Sequence, residues 1–261
     1  MLRTAAPAGS PFTCLMYHSL SDGRCPDTQY LKYTTTRAGF RDHLRDLRAA
    51  RFCLATAADL LGRLGGGDAL PSRYCVLTLD DGHRSALDMA EVMLEADVRG
   101  TFFLAMDYCR ERADFLKPSE IRALADQGFD FGTHGVTHCS LVHMPAERMR
   151  AELDTSREWL ADVLGRPVDA MTIPTGERTD ALIRTAWEVG YRFVGNSVEQ
   201  MNRVGSLPAE INRFVILARH DAADVRRIAA GDPAYILWRR VRQKLLYLPT
   251  RVLRPYDEVR A

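Results

Sequence analysis

The sequence predicts one α/β domain built on a mainly parallel sheet, open or closed into a barrel. Three observations lead there. Short apolar runs such as YCVLTL (74–79) and TFFLAM (101–106) read as strands buried on both faces. Amphipathic helical patterns lie between such runs, with short connections. At 261 residues the chain could hold one large α/β domain or two small ones, and it shows no internal linker, repeat or low-complexity stretch.

The elements follow in order. FTCLMYH (12–18) reads as the first strand. FRDHLRDL then sets Phe40, Leu44 and Leu47 at helical spacing, with His43 on a charged face expected in water. RLGGGDALPS (63–72) is a glycine- and proline-marked loop before the strand YCVLTL. ALDMAEVMLEAD (86–97) is a helix with Leu87, Ala90 and Leu94 on one face, followed by the strand TFFLAM. PSEIRALADQG (118–128) opens with proline and closes with glycine, as helices do, and FDFGTH (129–134) is a short strand. Residues 145–164 form a long helix with Met149, Leu153, Leu160 and Val163 inward. AMTIP (170–174) is a strand, 179–189 a helix, YRFVGN (191–196) a strand and RFVIL (213–217) one more. The division expected is a main domain over 1–230 and a basic helical tail over 231–261.

Composition narrows the function classes. A hydrophobic content of 46% with 26% charged residues is that of a soluble globular protein. The net charge of +1 gives no electrostatic case for a nucleic-acid partner. The six cysteines form no CxxC pair, which reads as reduced thiols in a cytosolic protein rather than a disulfide framework. The N-terminal segment lacks the apolar core of a signal peptide, and no apolar run reaches bilayer-spanning length, so a cytoplasmic location is expected.

The chemistry concentrates in LTLDDGH (77–83). Asp80 and Asp81 stand together at the end of a strand that reads as buried. Their mutual repulsion and desolvation need compensation, and a bound cation supplies it. A turn with a helix N-cap is the plainer reading of such a pair. In parallel α/β folds, however, reactive groups gather at the C-terminal ends of strands. His18 ends the first strand, His134 ends FDFGTH, and THGVTH (133–138) adds His138 four residues on. An Asp with two His from separate strand ends is a facial set of the kind zinc uses when it keeps a position open. Such a metal would lower the pKa of its water to about 7. The second carboxylate would then take the proton.

These residues resemble the motifs of the polysaccharide deacetylases, the NodB-homology or carbohydrate esterase 4 family. LTLDDG resembles the family's TFDDG, and THGVTH its H-(S/T)-x-x-H. LMYHSL, RGTFFLAM, IRALADQGFDFGTH, AMTIPTG and INRFVI resemble further family segments, in the right order over residues 12–218. The resemblance implies a distorted (β/α)7 barrel over the 1–230 catalytic domain, and metal-dependent removal of an acetyl or formyl group from an amino sugar. It implies Asp80 as catalytic base, and Asp81, His134 and His138 as ligands of a divalent metal, zinc first, with cobalt, nickel or manganese also suited. It places the backbone N–H of Thr175 as oxyanion donor. For the general acid it offers His18, in the MYH segment, ahead of His220 in LARHD. The implied substrate is an intracellular glycoside, a nucleotide-linked or a lipid-linked amino sugar.

The chain also departs from the family pattern. Gly135 replaces the hydroxyl residue of the second motif, and Ile173 and Thr175 replace the aromatics of the YPYG turn. The arginine expected before that turn is absent, although Arg213 could approach the base from another strand, and the late tryptophan motif is not evident in VGNSVEQMN. A catalytically degenerate glycan-binding member and a hydrolase of a non-sugar amide are the rival readings. Of the other candidates, His83 either lines the cleft or sits in an exposed turn, His143 reads as a loop residue and Cys139 as a buried thiol. The tail WRRVRQKLLYLPTRVLRP either touches an anionic membrane or packs on the barrel with its arginines in water.

Overall fold

The computed structural model describes residues 9–21 and 31–252, with side chains as far as Arg242. The strands are β1 (Phe12–Tyr17), β2 (Ser19–Leu20), β3 (Thr34–Thr35), β4 (Cys53–Ala55), β5 (Tyr74–Leu79), β6 (Thr101–Leu104), β7 (Asp130–Thr133), β8 (Ala170–Thr172), β9 (Phe193–Gly195), β10 (Ala209–Ile211) and β11 (Phe214–Val215). The helices are α1 (Arg37–Ala49), α2 (Ala57–Gly66), α3 (Ala86–Glu95), α4 (Met106–Glu111), α5 (Pro118–Asp126), α6 (Ala146–Leu164), α7 (Asp180–Val189), α8 (Ala222–Ala229) and α9 (Pro233–Val252).

The main sheet runs β10-β9-β8-β7-β6-β5-β1-β11, and every pairing in it is parallel. β4 pairs with the first half of β5, on the edge that β6 takes over higher up. The two end strands, β10 and β11, are separated in the chain only by Asn212 and Arg213. The sheet must therefore curl until its ends meet, which makes it a distorted barrel closed by a bend in the chain. Asn202 ties this seam: its backbone pairs with Phe12, and its side chain bonds both the N–H and the carbonyl of Asn212.

Alternation along the strands builds two cores. Leu15, Leu77, Leu79, Phe102, Leu104, Phe131, Val194 and Phe214 face outward under the helices. Phe12, Cys14, Tyr74, Val76, Phe103, Ala170, Phe193 and Ile211 fill the lower barrel. Followed upward, the inward stripe changes character: Tyr74 and Val76 lead to Thr78 and Asp80, and Ala170 leads to Thr172. The bottom is thus packed and apolar, while the C-terminal rim carries the polar chemistry.

Several expectations need correction. Gly66 belongs to α2, so the loop begins only at Gly67, which caps the helix in the left-handed region at φ 74°. Thr56 and Asp59 form a capping box that starts this helix. On α3 the buried face is Ala86, Met89, Ala90 and Met93, while Leu87 and Leu94 are only partly buried. His43 is buried, not solvated, because it shares the face of Phe40, Leu44 and Leu47 that packs inward. α4, α8, β4 and β10 are further elements that the periodicity did not single out. The cysteines described, Cys14, Cys53, Cys75, Cys109 and Cys139, are all free thiols, and Cys25 lies outside the described residues. Among the described residues, no helix is long and apolar enough to cross a membrane. Tyr235 and Ile236 of α9 join the core, so the start of the tail packs on the barrel, but Arg239 is buried rather than in water.

Candidate active site

Residues in a strand alternate in direction, so Asp80 and Asp81 should point to opposite faces of the sheet. They do not, because the strand ends at Leu79 and Asp81 takes φ 75°. This left-handed step swings the second carboxylate into the same cleft as the first. Gly82 continues it at φ 81°, where a Cβ would stand 2.7 Å from Leu104 Cδ2. His138 (φ 59°) and Thr175 (φ 62°) share the left-handed conformation. For a β-branched residue such as Thr175 it is strained, at about 1–3 kcal/mol. Such strain concentrated around one cleft marks a functional site.

The cleft has a volume of about 300 Å3 and is lined by His18, Tyr33, Asp80, Asp81, His134, His138, Thr175 and Ser197, among others. The structure therefore brings together six of the seven candidate residues. His220 lies elsewhere. Its Nδ1 accepts from the Leu217 N–H and its Nε2 faces Arg239 Nη1, so it is part of a buried structural cluster outside the cleft.

Asp81, His134 and His138 present ligand atoms that all lie within 4.8 Å of one another. Asp81 Oδ1 is 3.4 Å from His134 Nε2 and 3.1 Å from His138 Nε2. His134 Nδ1 donates to the Thr172 carbonyl at 3.0 Å, with Thr172 Oγ1 at 2.6 Å. Burial pushes the His134 pKa down to about 4, so its ring is neutral at pH 7. With the proton on Nδ1, the Nε2 lone pair points at a carboxylate oxygen. Two lone pairs facing each other in a buried site repel, and a cation between them reverses the sign. The donor set thus fits a divalent metal, with the imidazole orientation fixed from behind. Burial disfavours the Asp81 anion, but the His138 hydrogen bond leads the contacts that overcome this and lower its pKa. Burial also opposes His138⁺, yet Asp81 raises that pKa.

Asp80 is held from another direction. Arg213 Nη1 donates to Oδ1 at 2.7 Å and Nη2 to Oδ2 at 2.8 Å, with both side chains fully buried. Burial alone would favour the protonated acid; the guanidinium outweighs it and lowers the pKa. Arg213 comes from the seam between β10 and β11 and passes over Gly195, where a Cβ would stand 3.0 Å from its Nε.

The loop that carries His138 is clamped on both sides. The first N–H groups of α4, on Met106 and Asp107, donate to the Gly135 and Val136 carbonyls. From α6, Glu152 accepts from the N–H groups of Val136 and Thr137 and from the Thr137 hydroxyl. Glu152 supplies the tie that Gly135 has no hydroxyl to make. The sequence carries one signal for it, a glutamate on the buried face shared by Met149, Leu153 and Ser156.

His18 and Tyr33 form the opposite wall. Their rings stack with centroids 4.6 Å apart, and His18 Nδ1 is buried without a hydrogen-bond partner among the described residues. Tyr33 puts an aromatic ring in the cleft where Ile173 and Thr175 cannot. His83 is outside the cleft: its Nδ1 bonds Ser85 Oγ and its ring packs on Phe115. His143 is exposed beside Glu177. Cys139 is also exposed, not buried, because the turn after His138 leads out of the barrel.

Comparisons with known proteins bear on the family pattern and the fold. The sequence pattern described as "Polysaccharide deacetylase" matches residues 67–194. The peptidoglycan-N-acetylmuramic acid deacetylase PdaA of Bacillus subtilis is 25% identical over 125 residues, covering 47% of this chain and 46% of that protein. The match thus spans about half of that relative's length. A Streptococcus pyogenes deacetylase solved with acetate superposes with a TM-score of 0.74 at 16% identity, over 85% of this chain and 99% of that one. A Bacillus cereus polysaccharide deacetylase gives 0.74 at 20% identity over 84% and 69%. A de-N-acetylase from Aggregatibacter actinomycetemcomitans gives 0.76 at 15% identity over 84% and 100%. These structures share the curled parallel sheet and its flanking helices.

Proposed function

The chain belongs to the polysaccharide deacetylase family, and from that premise we propose that it is a metal-dependent hydrolase of the N-acetyl or N-formyl amide of an amino sugar. One observation carries the reading. The ligand set Asp81, His134 and His138 and the separately held carboxylate Asp80 face the same cleft.

Asp81, His134 and His138 would hold a divalent metal. When bound, it supplies Lewis acidity, polarising the amide carbonyl and acidifying a water. Asp80 is placed to take the proton from the attacking water. Arg213 keeps Asp80 ionised and fixes both oxygens; Oδ1 also accepts from the Thr172 hydroxyl, which leaves Oδ2 a second lone pair to accept with. The Thr175 N–H, presented by the strained turn after β8, stabilises the oxyanion that forms from the carbonyl. His18 lies across the cleft and delivers a proton to the departing amine. Tyr33 offers its face to the sugar ring, the role an aromatic takes in carbohydrate sites by matching the ring's C–H face. The substrate class is an amino sugar of the cell interior, nucleotide-linked, lipid-linked or glycosidic.

Metal content by mass spectrometry on wild type and Asp81→Ala, with acetate release from chitooligosaccharides and a nucleotide-linked N-acetylhexosamine, tests the reading. About one metal per chain, lost in the variant, together with acetate release, supports it. A wild type that takes up no metal after reconstitution sinks it in favour of a glycan-binding role.

A further inference from the structure

The mechanism uses nothing beyond the barrel, yet α9 presents an unusual outer face. Leu237, Trp238 and Val241 are 62%, 51% and 48% exposed, next to Tyr235 and Ile236, which are buried. Leu237, Trp238 and Val241 therefore form an apolar stripe at helical spacing along the described part of α9, on the side turned away from the barrel.

The charged residues of α9 are all cationic. From Pro233 to Val252 the sequence holds Arg239, Arg240, Arg242, Lys244 and Arg251, and no Asp or Glu. Arg239 turns inward to Glu199 and the Val215 carbonyl. Arg242 lies over the Trp238 ring at 5.3 Å. Arg219, exposed on the adjoining loop, feels the charges of Arg242 and Arg239. Charge of one sign gathered around an apolar stripe speaks against a second copy of the chain, which would set cations against cations.

We propose that the outer face of α9, with Arg219, docks the protein on an anionic phospholipid surface. The helix lies in the interface, its Leu237–Val241 stripe among the upper acyl chains and its arginines among the phosphates. Trp238, apolar in body and with one polar N–H, suits that depth. The dock adjoins the cleft. Arg239 bonds Val215, which lines the cleft, and the Ala218 N–H donates to the Lys32 carbonyl beside Tyr33. On the hydrolase reading, a docked molecule holds its cleft beside the headgroups, and a lipid-linked amino sugar becomes the substrate class.

Sedimentation of the full chain with vesicles tests this. Phosphatidylcholine vesicles containing about one-third phosphatidylglycerol should carry the protein down, pure phosphatidylcholine should not, and high salt should release it. Leu237→Glu with Val241→Glu should weaken the partition at least about tenfold, and Arg219→Ala about fivefold. Both variants alter exposed residues, so their melting curves and metal content should match the wild type. Failure to bind anionic vesicles, or binding indifferent to both variants, overturns the proposal. So does a concentration-dependent dimer that Leu237→Glu with Val241→Glu abolishes. Acetate release from a soluble amino sugar without lipid reads the hydrolase assignment alone, so either can fail without the other.

Discussion

Arg213 grips both oxygens of Asp80, and neither side chain reaches solvent. A buried pair of this kind is costly to assemble but far costlier to break on one side. Arg213→Met leaves an uncompensated carboxylate in the barrel and should destabilise the fold by about 3–5 kcal/mol in denaturant titrations. Arg213→Lys cannot reproduce the two-pronged contact and should also lose stability. The double variant Asp80→Asn with Arg213→Met removes both charges. It should recover most of the stability while remaining inactive, separating the structural role of the pair from its catalytic one.

Gly195 gives Arg213 its room. A Cβ there would meet Thr172 Cγ2 at 2.8 Å and Arg213 Nε at 3.0 Å. Gly195→Ala therefore pushes on the group that orients His134 and on the group that orients Asp80. Overpacking of this sort costs about 1–3 kcal/mol. The expected signature is a fall in kcat larger than any change in KM, with metal still bound.

Glu152 should reveal itself through the metal. Glu152→Ala leaves the Val136 and Thr137 N–H groups without their acceptor and frees the loop that aims His138. Supporting contacts around metal ligands are typically worth about 10–100-fold in metal affinity. Chelator competition should show a loss in that range for Glu152→Ala and a smaller one for Glu152→Gln, which keeps one acceptor oxygen. Unchanged metal affinity in both would show that α4 alone holds the loop.

How legible this site was depends on the distance over which each contact acts. Asp80, Asp81, His134 and His138 sit in short motifs at strand ends, so local pattern reveals them. The closing contacts are long-range: Arg213 reaches Asp80 across the barrel seam, and Glu152 reaches Thr137 from a helix. No local spacing encodes such pairs, although a charged residue on a buried helix face is a usable sign. His43 shows that sign misjudged. It stands three residues after Phe40 and four before Leu47, on the apolar face, yet its charged chain neighbours suggest solvent. α2 was hidden by its glycines, although Thr56 and Asp59 carry a capping signal. Strand order was beyond local reading altogether, since β1 lies between β5 and β11 only once the sheet has curled.

The buried histidines make stability depend on acid. Both ring nitrogens of His220 face N–H groups, from Leu217 and Arg239, so a second ring proton finds no acceptor. Burial, followed by the charges of Arg239 and Arg219, pushes its pKa down to about 3. His43, which bonds the His220 carbonyl, is likewise lowered, mainly by burial. An unfolded histidine takes up its proton near pH 6.5, whereas the folded His220 does so only near 3. Between those values the unfolded state binds more protons, so stability falls as pH falls through that window and is level above it. Each such histidine contributes a slope of up to about 1.4 kcal/mol per pH unit. Urea unfolding between about pH 6 and 5, in chelator so that metal occupancy is constant, should show this slope. In this range most carboxylates remain ionised, so the histidines dominate. His220→Gln should lower the slope by about one proton, whatever it does to the absolute stability. An unaltered slope would mean that the folded protein accommodates a charged His220, and the buried link between α9 and the barrel would have to be redrawn.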